Sequence, residues 1–203
     1  MLARLLAGFV IGYLLGGVDF AVIVGRMRGI DIYEVGSGNP GTSNVLRTMG
    51  KGAAAMVLVG DLAKGLVAAA MGAVISASGE GYASPEAAAA LAGLGAVVGH
   101  CYPAWHRFKG GKGVATSAGV IVWLNPLIGL GLGVLWGIVV GITRVASIGS
   151  LMVVVLVLPG LWWTGVTGWP LVWVAAMMTL VVYRHKGNIQ RMLKGGERKV
   201  VSP

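Results

Sequence analysis

Ser37 and Arg47 bracket the stretch GSGNPGTSNVLR, residues 36–47, and most of what lies between them is small or hydrogen-bonding. Asn39, Thr42, Ser43 and Asn44 offer short polar side chains, while Gly36, Gly38 and Gly41 let backbone amides approach a bound group closely. An arginine fork beside such donors is chemistry for an anion, above all a phosphate. The glycines also satisfy G-x-G-x-x-G, but a dinucleotide fold needs a buried strand before them and a βαβ unit around them. Here the preceding DIYEV is short and polar, and Asp61 lies within an apolar run. That excludes the dinucleotide reading. Taken alone, the loop is equally readable as a tight turn between helices.

Two further stretches repeat the theme. In HRFKGGKGVATSAG, residues 106–119, Arg107, Lys109 and Lys112 surround Gly110, Gly111 and Gly113, with Thr116 one step further on. An apolar helix is predicted to start there, and its first amides are unpaired and carry positive partial charge, which makes a second phosphate site. Gly113 stands where a Walker loop requires Ser or Thr. A basic patch touching anionic headgroups is the competing reading. In YRHKGNIQRMLKGGE, residues 183–197, a continuing helix puts Arg184, Asn188 and Arg191 on one face, with His185 within reach of Asn188. Cations, small donors and glycine recur in all three stretches. They imply a phosphorylated substrate, or two.

The elements that must carry these stretches are transmembrane helices. Of 203 residues, 56% are hydrophobic and only 11% charged, a balance that leaves too little polar surface for a soluble domain. Spans are predicted near 2–25, 53–77, 87–105, 113–124, 126–142, 145–163 and 169–183, giving an all-α membrane bundle in one domain, residues 1–203. The fourth is short and ends at Asn125-Pro126, so both a tilted crossing and a re-entrant half-helix fit it. Seven full crossings put the N-terminus outside, the C-terminus in the cytoplasm, and every Lys and Arg except Arg4 and Lys64 on the inner side. Glu80 and Glu86 fall outside. The net charge of +9 thus belongs to cytoplasmic loops, not to a nucleic-acid interface. The lone Cys101 excludes an internal disulfide and is assigned to packing; no Cys/His spacing suggests a metal, and no cofactor is expected.

Within the apolar runs, Asp61 and Lys64 are three apart and close enough to pair, either locking helices together or serving a site. Asp19 needs a partner too, and Lys64 is a candidate. His100, near the inner end of the third span, is placed to orient a loop or line the site. A transporter for organic phosphates would use similar charges, but transporters commonly carry inverted repeats and midplane sites, and this chain has no detectable repeat.

The stretches GSGNPGTSNVLRTMGKGAAAMVLVGDLAKG, GHCYPAWHRFKGGKGVATSAG and RHKGNIQRMLKGGE resemble, in order and separation, the bacterial acyl-phosphate-dependent glycerol-3-phosphate acyltransferases. The resemblance covers essentially the whole chain. It implies a multi-pass inner-membrane enzyme of seven helices whose active site faces the cytoplasm. The implied reaction moves the acyl group of an acyl phosphate to the 1-hydroxyl of sn-glycerol 3-phosphate, yielding lysophosphatidic acid and inorganic phosphate. Functional coupling to a soluble acyl-phosphate synthase follows from the same likeness, as does contact with membrane lipids. Ser37 and Arg47 match the family's essential serine and arginine, and Gly110, Gly111, Lys112 and Gly113 its glycerol-phosphate loop. His185 and Asn188 match its third-motif pair, and Glu197 a mainly structural glutamate. Gly17-Val18-Asp19 stands where the family usually has Ser-Ile-Pro.

An acyl phosphate carries its own leaving group, so direct attack by the hydroxyl is expected, with the protein orienting and stabilising charge. Either His185 or a substrate phosphate oxygen takes the hydroxyl proton. Ser37 is expected to donate to phosphate and not to attack, because no nucleophile elbow accompanies it.

Overall fold

The computed structural model describes residues 2–77 and 84–200, and all regular structure among them is helical. In chain order the helices are α1 (Leu2–Gly16), α2 (Phe20–Met27), α3 (Thr42–Ala77), α4 (Pro85–Cys101), α5 (Val114–Leu124), α6 (Pro126–Thr143), α7 (Ala146–Trp163), α8 (Trp169–Arg184) and α9 (Lys186–Leu193), with a short 3-10 turn at Ala104–His106. Five stretches are long and apolar enough to cross a membrane: Leu2–Met27, Thr42–Ser76, Pro85–His106, Pro126–Thr143 and Ala146–Trp163; α5 and α8 are apolar but shorter. Glu80 lies outside the described residues.

The central element is α4, which α1, α3, α5 and α8 surround. Its contact with α1 is a glycine seam: side chains at Gly12 or Gly16 would collide with the carbonyls of Ala92 and Ala96, and at Gly95 or Gly99 with those of Phe9 and Tyr13. Without a hydrophobic drive between helices in lipid, such close backbone approach supplies the packing attraction. By contrast, α6 touches mainly α5 and α7 and presents Leu127, Leu130, Val134, Ile138 and Ile142 outward.

The first apolar run is not the single helix, 2–25, that hydropathy predicts. It breaks at Gly17–Asp19, and Asp19 caps the new helix, its carboxylate accepting from the amides of Ala21 and Val22 at 3.1 Å each. The carbonyls freed by the break are answered from other elements: Trp105 Nε1 donates to Gly17 O at 2.8 Å and Lys64 Nζ to Val18 O at 2.9 Å. Lys64 also pairs with Asp61 at 2.7 Å. Lys64, a candidate partner for Asp19, instead has Asp61 and Val18 O as its contacts, while Asp19 serves as a cap through Oδ1. Asp19→Ala is expected to cost about 1 kcal/mol of stability, which Asp19→Asn largely restores, read as the thermal midpoint in detergent.

A second departure concerns α3, which begins at Thr42 rather than near residue 53 and bends at Gly50 (φ 82°, ψ −179°). The polar turns before the bend read as loop by hydropathy, yet they are helical and carry Arg47. Between α5 and α6, Asn125 Oδ1 accepts from the Ile128 amide at 3.0 Å and Pro126 occupies the first helical turn, so the chain reverses with its backbone groups satisfied.

Candidate active site

The three polar stretches meet at one end of the bundle, around a cavity of about 560 Å³. From the first stretch, Ser37, Asn39, Thr42, Asn44 and Arg47 line it; from the second, Lys112 and Gly113; from the third, Arg184, His185, Asn188 and Arg191. Asp61, His100 and Glu197 also reach its wall.

Each stretch is braced locally. Gly36 and Gly38 take left-handed conformations (φ 62° and 65°), and the buried Asn44 staples the turn they make. Its Oδ1 accepts from the Ser37 amide at 2.8 Å and its Nδ2 donates to Val35 O at 3.0 Å. Asn44 thus spends its polar atoms on the loop, which leaves Ser37, Asn39, Thr42, Ser43 and Arg47 as the stretch's other polar groups in the cavity wall. Tyr33 ties this loop to the second one by donating to Lys109 O at 2.8 Å.

Lys109, Gly110, Gly111 and Thr116 do not line the cavity. Gly111 packs under His100: its amide donates to His100 O at 3.0 Å, and a side chain there would strike the imidazole. Arg184 holds the same loop from the other side, Nε donating to Gly111 O at 3.0 Å and Nη2 to Gly110 O at 2.6 Å. Thr116 is fully buried within the helix packing of α3 against α5. What the loop delivers to the cavity is Lys112 and the start of α5, whose N-cap Gly113 has no side-chain cap hydrogen bond.

His185 sits where α8 hands over to α9, so the expected continuous helix is interrupted there. Its Nδ1 lies 2.7 Å from Val181 O. A carbonyl only accepts, so Nδ1 carries the proton and the neutral ring keeps its lone pair on Nε2. Burial, reinforced by the Lys112 charge, lowers its pKa to about 4. Beyond it Glu197 gathers three donors: Asn188 Nδ2 at 2.6 Å, Arg191 Nε at 3.0 Å and Ser147 Oγ at 3.2 Å. Burial opposes the charge of Glu197, yet the hydrogen bonds from Asn188 and Arg191 hold its carboxyl below the ordinary value. Burial pushes the Lys112 ammonium down to about 8, with Glu197 opposing and Arg191, Arg47 and Arg184 adding repulsion.

Deeper in the bundle, Asp61 lies between Lys64, at 2.7 Å, and His100 Nδ1, at 3.5 Å. This buried group connects the break in the first helix, α3, and the loop that carries Lys112. Sequence reasoning did not single out Ser147 or Arg198, both in the cavity wall. Ser147 lies in the first turn of an apolar helix with no neighbouring pair of cations, and only its position at the inner end of a span marks it. Past Ser150 the cavity changes character and continues as an apolar groove floored by α5.

A helical bundle with apolar spans and a basic, partly hydrophobic cavity at one end defines an integral membrane protein of the substrate-binding kind. Residues 6–195 match the family described as glycerol-3-phosphate acyltransferase. Relatives of that name include one from Rubrobacter xylanophilus, 44% identical over 93% of this chain and 92% of its own length, and one from Neisseria meningitidis serogroup C, 40% identical over 94% of each chain. Among solved structures, the glycerol 3-phosphate form of PlsY (YgiH), an integral membrane glycerol 3-phosphate acyltransferase, superposes with a TM-score of 0.86 at 33% identity, covering 96% of this chain and 94% of that one. Its lysophosphatidic acid form gives 0.85 at 32% identity, with the same coverage. The chain belongs to the glycerol-3-phosphate acyltransferase family, and it is an acyltransferase.

Proposed function

We propose that the protein transfers the acyl group of an acyl phosphate to the 1-hydroxyl of sn-glycerol 3-phosphate, releasing lysophosphatidic acid and inorganic phosphate. One observation carries this reading: the basic pocket and the apolar groove are parts of a single cavity. A phosphate-bearing acceptor and an activated fatty chain need that juxtaposition. The solved forms of PlsY, with glycerol 3-phosphate and with lysophosphatidic acid, support the choice of acceptor and product.

In this mechanism Arg47, Lys112 and the uncapped N-terminus of α5 hold phosphate, and Ser37, Asn39 and Thr42 donate to its oxygens. Bringing two phosphorylated substrates together costs repulsion, which the clustered cations offset. The hydroxyl oxygen attacks the acyl carbon, the bond from that carbon to the phosphate oxygen breaks, and the hydroxyl proton ends on the departing phosphate. His185 Nε2 relays that proton, while Glu197 fixes Asn188 and Arg191 beside it. No covalent enzyme intermediate is required, since the donor is already activated.

The single domain crosses the inner membrane seven times, with the N-terminus outside and the cavity opening to the cytoplasm. The placement of nearly all Lys and Arg at one end supports this orientation. Purified protein in lipid should release phosphate from acyl phosphate only when glycerol 3-phosphate is present, and should refuse acyl-CoA. Uptake of glycerol 3-phosphate into sealed vesicles without turnover would instead indicate a transporter.

The pH dependence follows from two groups. With a pKa of about 8, Lys112 is charged below that value and loses its charge as pH rises through it. His185 is neutral throughout the range above about 4. Hence kcat/KM for glycerol 3-phosphate should fall on the alkaline side of about pH 8 with no acid limb from His185, and Lys112→Arg should move the fall upward. An alkaline limb unmoved by that substitution counts against Lys112 as the phosphate cation.

A further inference from the structure

Five glycines punctuate α6, and they fall into two kinds. Gly129 is buried against α5, where a Cβ would lie 2.6 Å from Val122 Cα. At Gly131, Gly133, Gly137 and Gly141 a Cβ meets no described atom within 4 Å, and all four are exposed. Only Gly133 among these four lines the cavity. It is helical, so no left-handed conformation requires it, and no neighbour demands a small residue. What its missing side chain leaves is an opening in the wall.

The surroundings fit that reading. Across the groove stands Leu58 of α3, 39% exposed and also a lining residue. While α3 packs on α1, α2, α4 and α5, α6 packs on α5 and α7, so α5 lies between α3 and α6. Toward the polar end, Trp136 narrows the groove and is fixed by Nε1 donating to Ser150 Oγ at 3.2 Å. At the far end the groove stops near Val157; beyond it Ile128 packs on Gly160, where a Cβ would sit 3.3 Å away.

Resting on the acyl-transfer reading above, we infer that Gly133 forms a side portal through which the distal part of a long acyl chain leaves the cavity for the surrounding lipid. The helical rise places Gly133 about 15 Å along α6 from Thr143 at the polar end, the extended length of about a dozen methylenes. An eight-carbon chain ends inside the groove. A sixteen-carbon chain outruns it, meets the closure near Val157 and turns out past Gly133 into the hydrocarbon. Tolerance for long chains is therefore set by the absence of a side chain at this one position.

The test compares kcat/KM for hexadecanoyl and octanoyl donors in the same lipid vesicles, using whichever activated donor, acyl phosphate or acyl-CoA, supports turnover by the wild type. Gly133→Leu should lower the hexadecanoyl-to-octanoyl ratio at least tenfold, with the KM for glycerol 3-phosphate and the octanoyl rate unchanged, and Gly133→Ala should fall between. Gly131→Leu and Gly137→Leu add the same bulk elsewhere on α6, about 200° and about 40° around the helix from Gly133, at positions that do not line the cavity, and should leave the ratio within twofold. The portal is refuted if Gly133→Leu leaves the ratio untouched, or if Gly137→Leu lowers it equally. Should acyl-CoA alone support turnover, the donor assignment fails while the chain-length ratio still decides the portal.

Discussion

Arg47→Ala should lower kcat/KM by about a thousandfold or more while leaving the protein inserted, monodisperse and thermally stable. The expected size reflects its position. Arg47 projects from the polar turns of α3 into the cavity between Ser37 and the Lys112 loop, and among the described residues its hydrogen bond to the rest of the protein is a long one, 3.5 Å to Lys199 O. Its donors are thus free for substrate oxygens, and little of the fold depends on them. Arg47→Lys retains charge but not the bidentate fork, so it should recover only part of the loss. Steady-state turnover alongside detergent thermal melts checks both halves. A variant that keeps tenth-of-wild-type activity would remove Arg47 from the phosphate-binding role.

The next largest effect is expected at His185. With Nδ1 committed to Val181 O, only Nε2 can take part in proton transfer, and His185→Ala should reduce kcat by about 10² to 10⁴-fold with a much smaller change in the KM for glycerol 3-phosphate. His185→Gln separates a relay from a mere hydrogen-bond acceptor. A glutamine carbonyl can orient the hydroxyl but cannot carry its proton, so it should remain as slow as alanine. Activity within about tenfold of wild type in His185→Gln would move the proton directly from hydroxyl to substrate phosphate. Because the group is buried and neutral above about pH 4, neither variant should change the profile between pH 5 and 7.

Comparing residues shows why some of this was legible in the linear chain. Five of the predicted spans were readable because lipid imposes a requirement on every stretch independently: a helix that crosses must be apolar over about 20 residues, whatever its neighbours do. Asp61 and Lys64 pair as their spacing predicts, since three residues apart on a helix is a local relation. The polar stretches were equally visible, for glycine, short donors and cations are anomalous in so apolar a chain.

Asp19 shows where that legibility ends. Hydropathy averages over a window and passes smoothly through Gly17–Asp19, so a break that one carboxylate caps is invisible to it. Whether the two freed carbonyls can be tolerated depends on Trp105 and Lys64, residues distant in the chain. Gly111 makes the same point: its glycine-rich context reads as a phosphate cradle, yet its partner is His100. Ser147 was passed over for the converse reason, because a lone serine gains meaning only when Glu197 arrives beside it.

Residue type and short-range spacing were enough for the helical membrane character, the three anion-directed stretches and the likeness to one enzyme family. Tertiary structure alone decided which atoms face the cavity: Lys112 instead of Gly111, Nε2 instead of Nδ1, Ser147 alongside Glu197, and Gly133 at the edge of the groove. The physical reason is that hydrogen bonding and steric exclusion are settled between elements. A donor's availability or a glycine's purpose depends on the group that folding brings next to it.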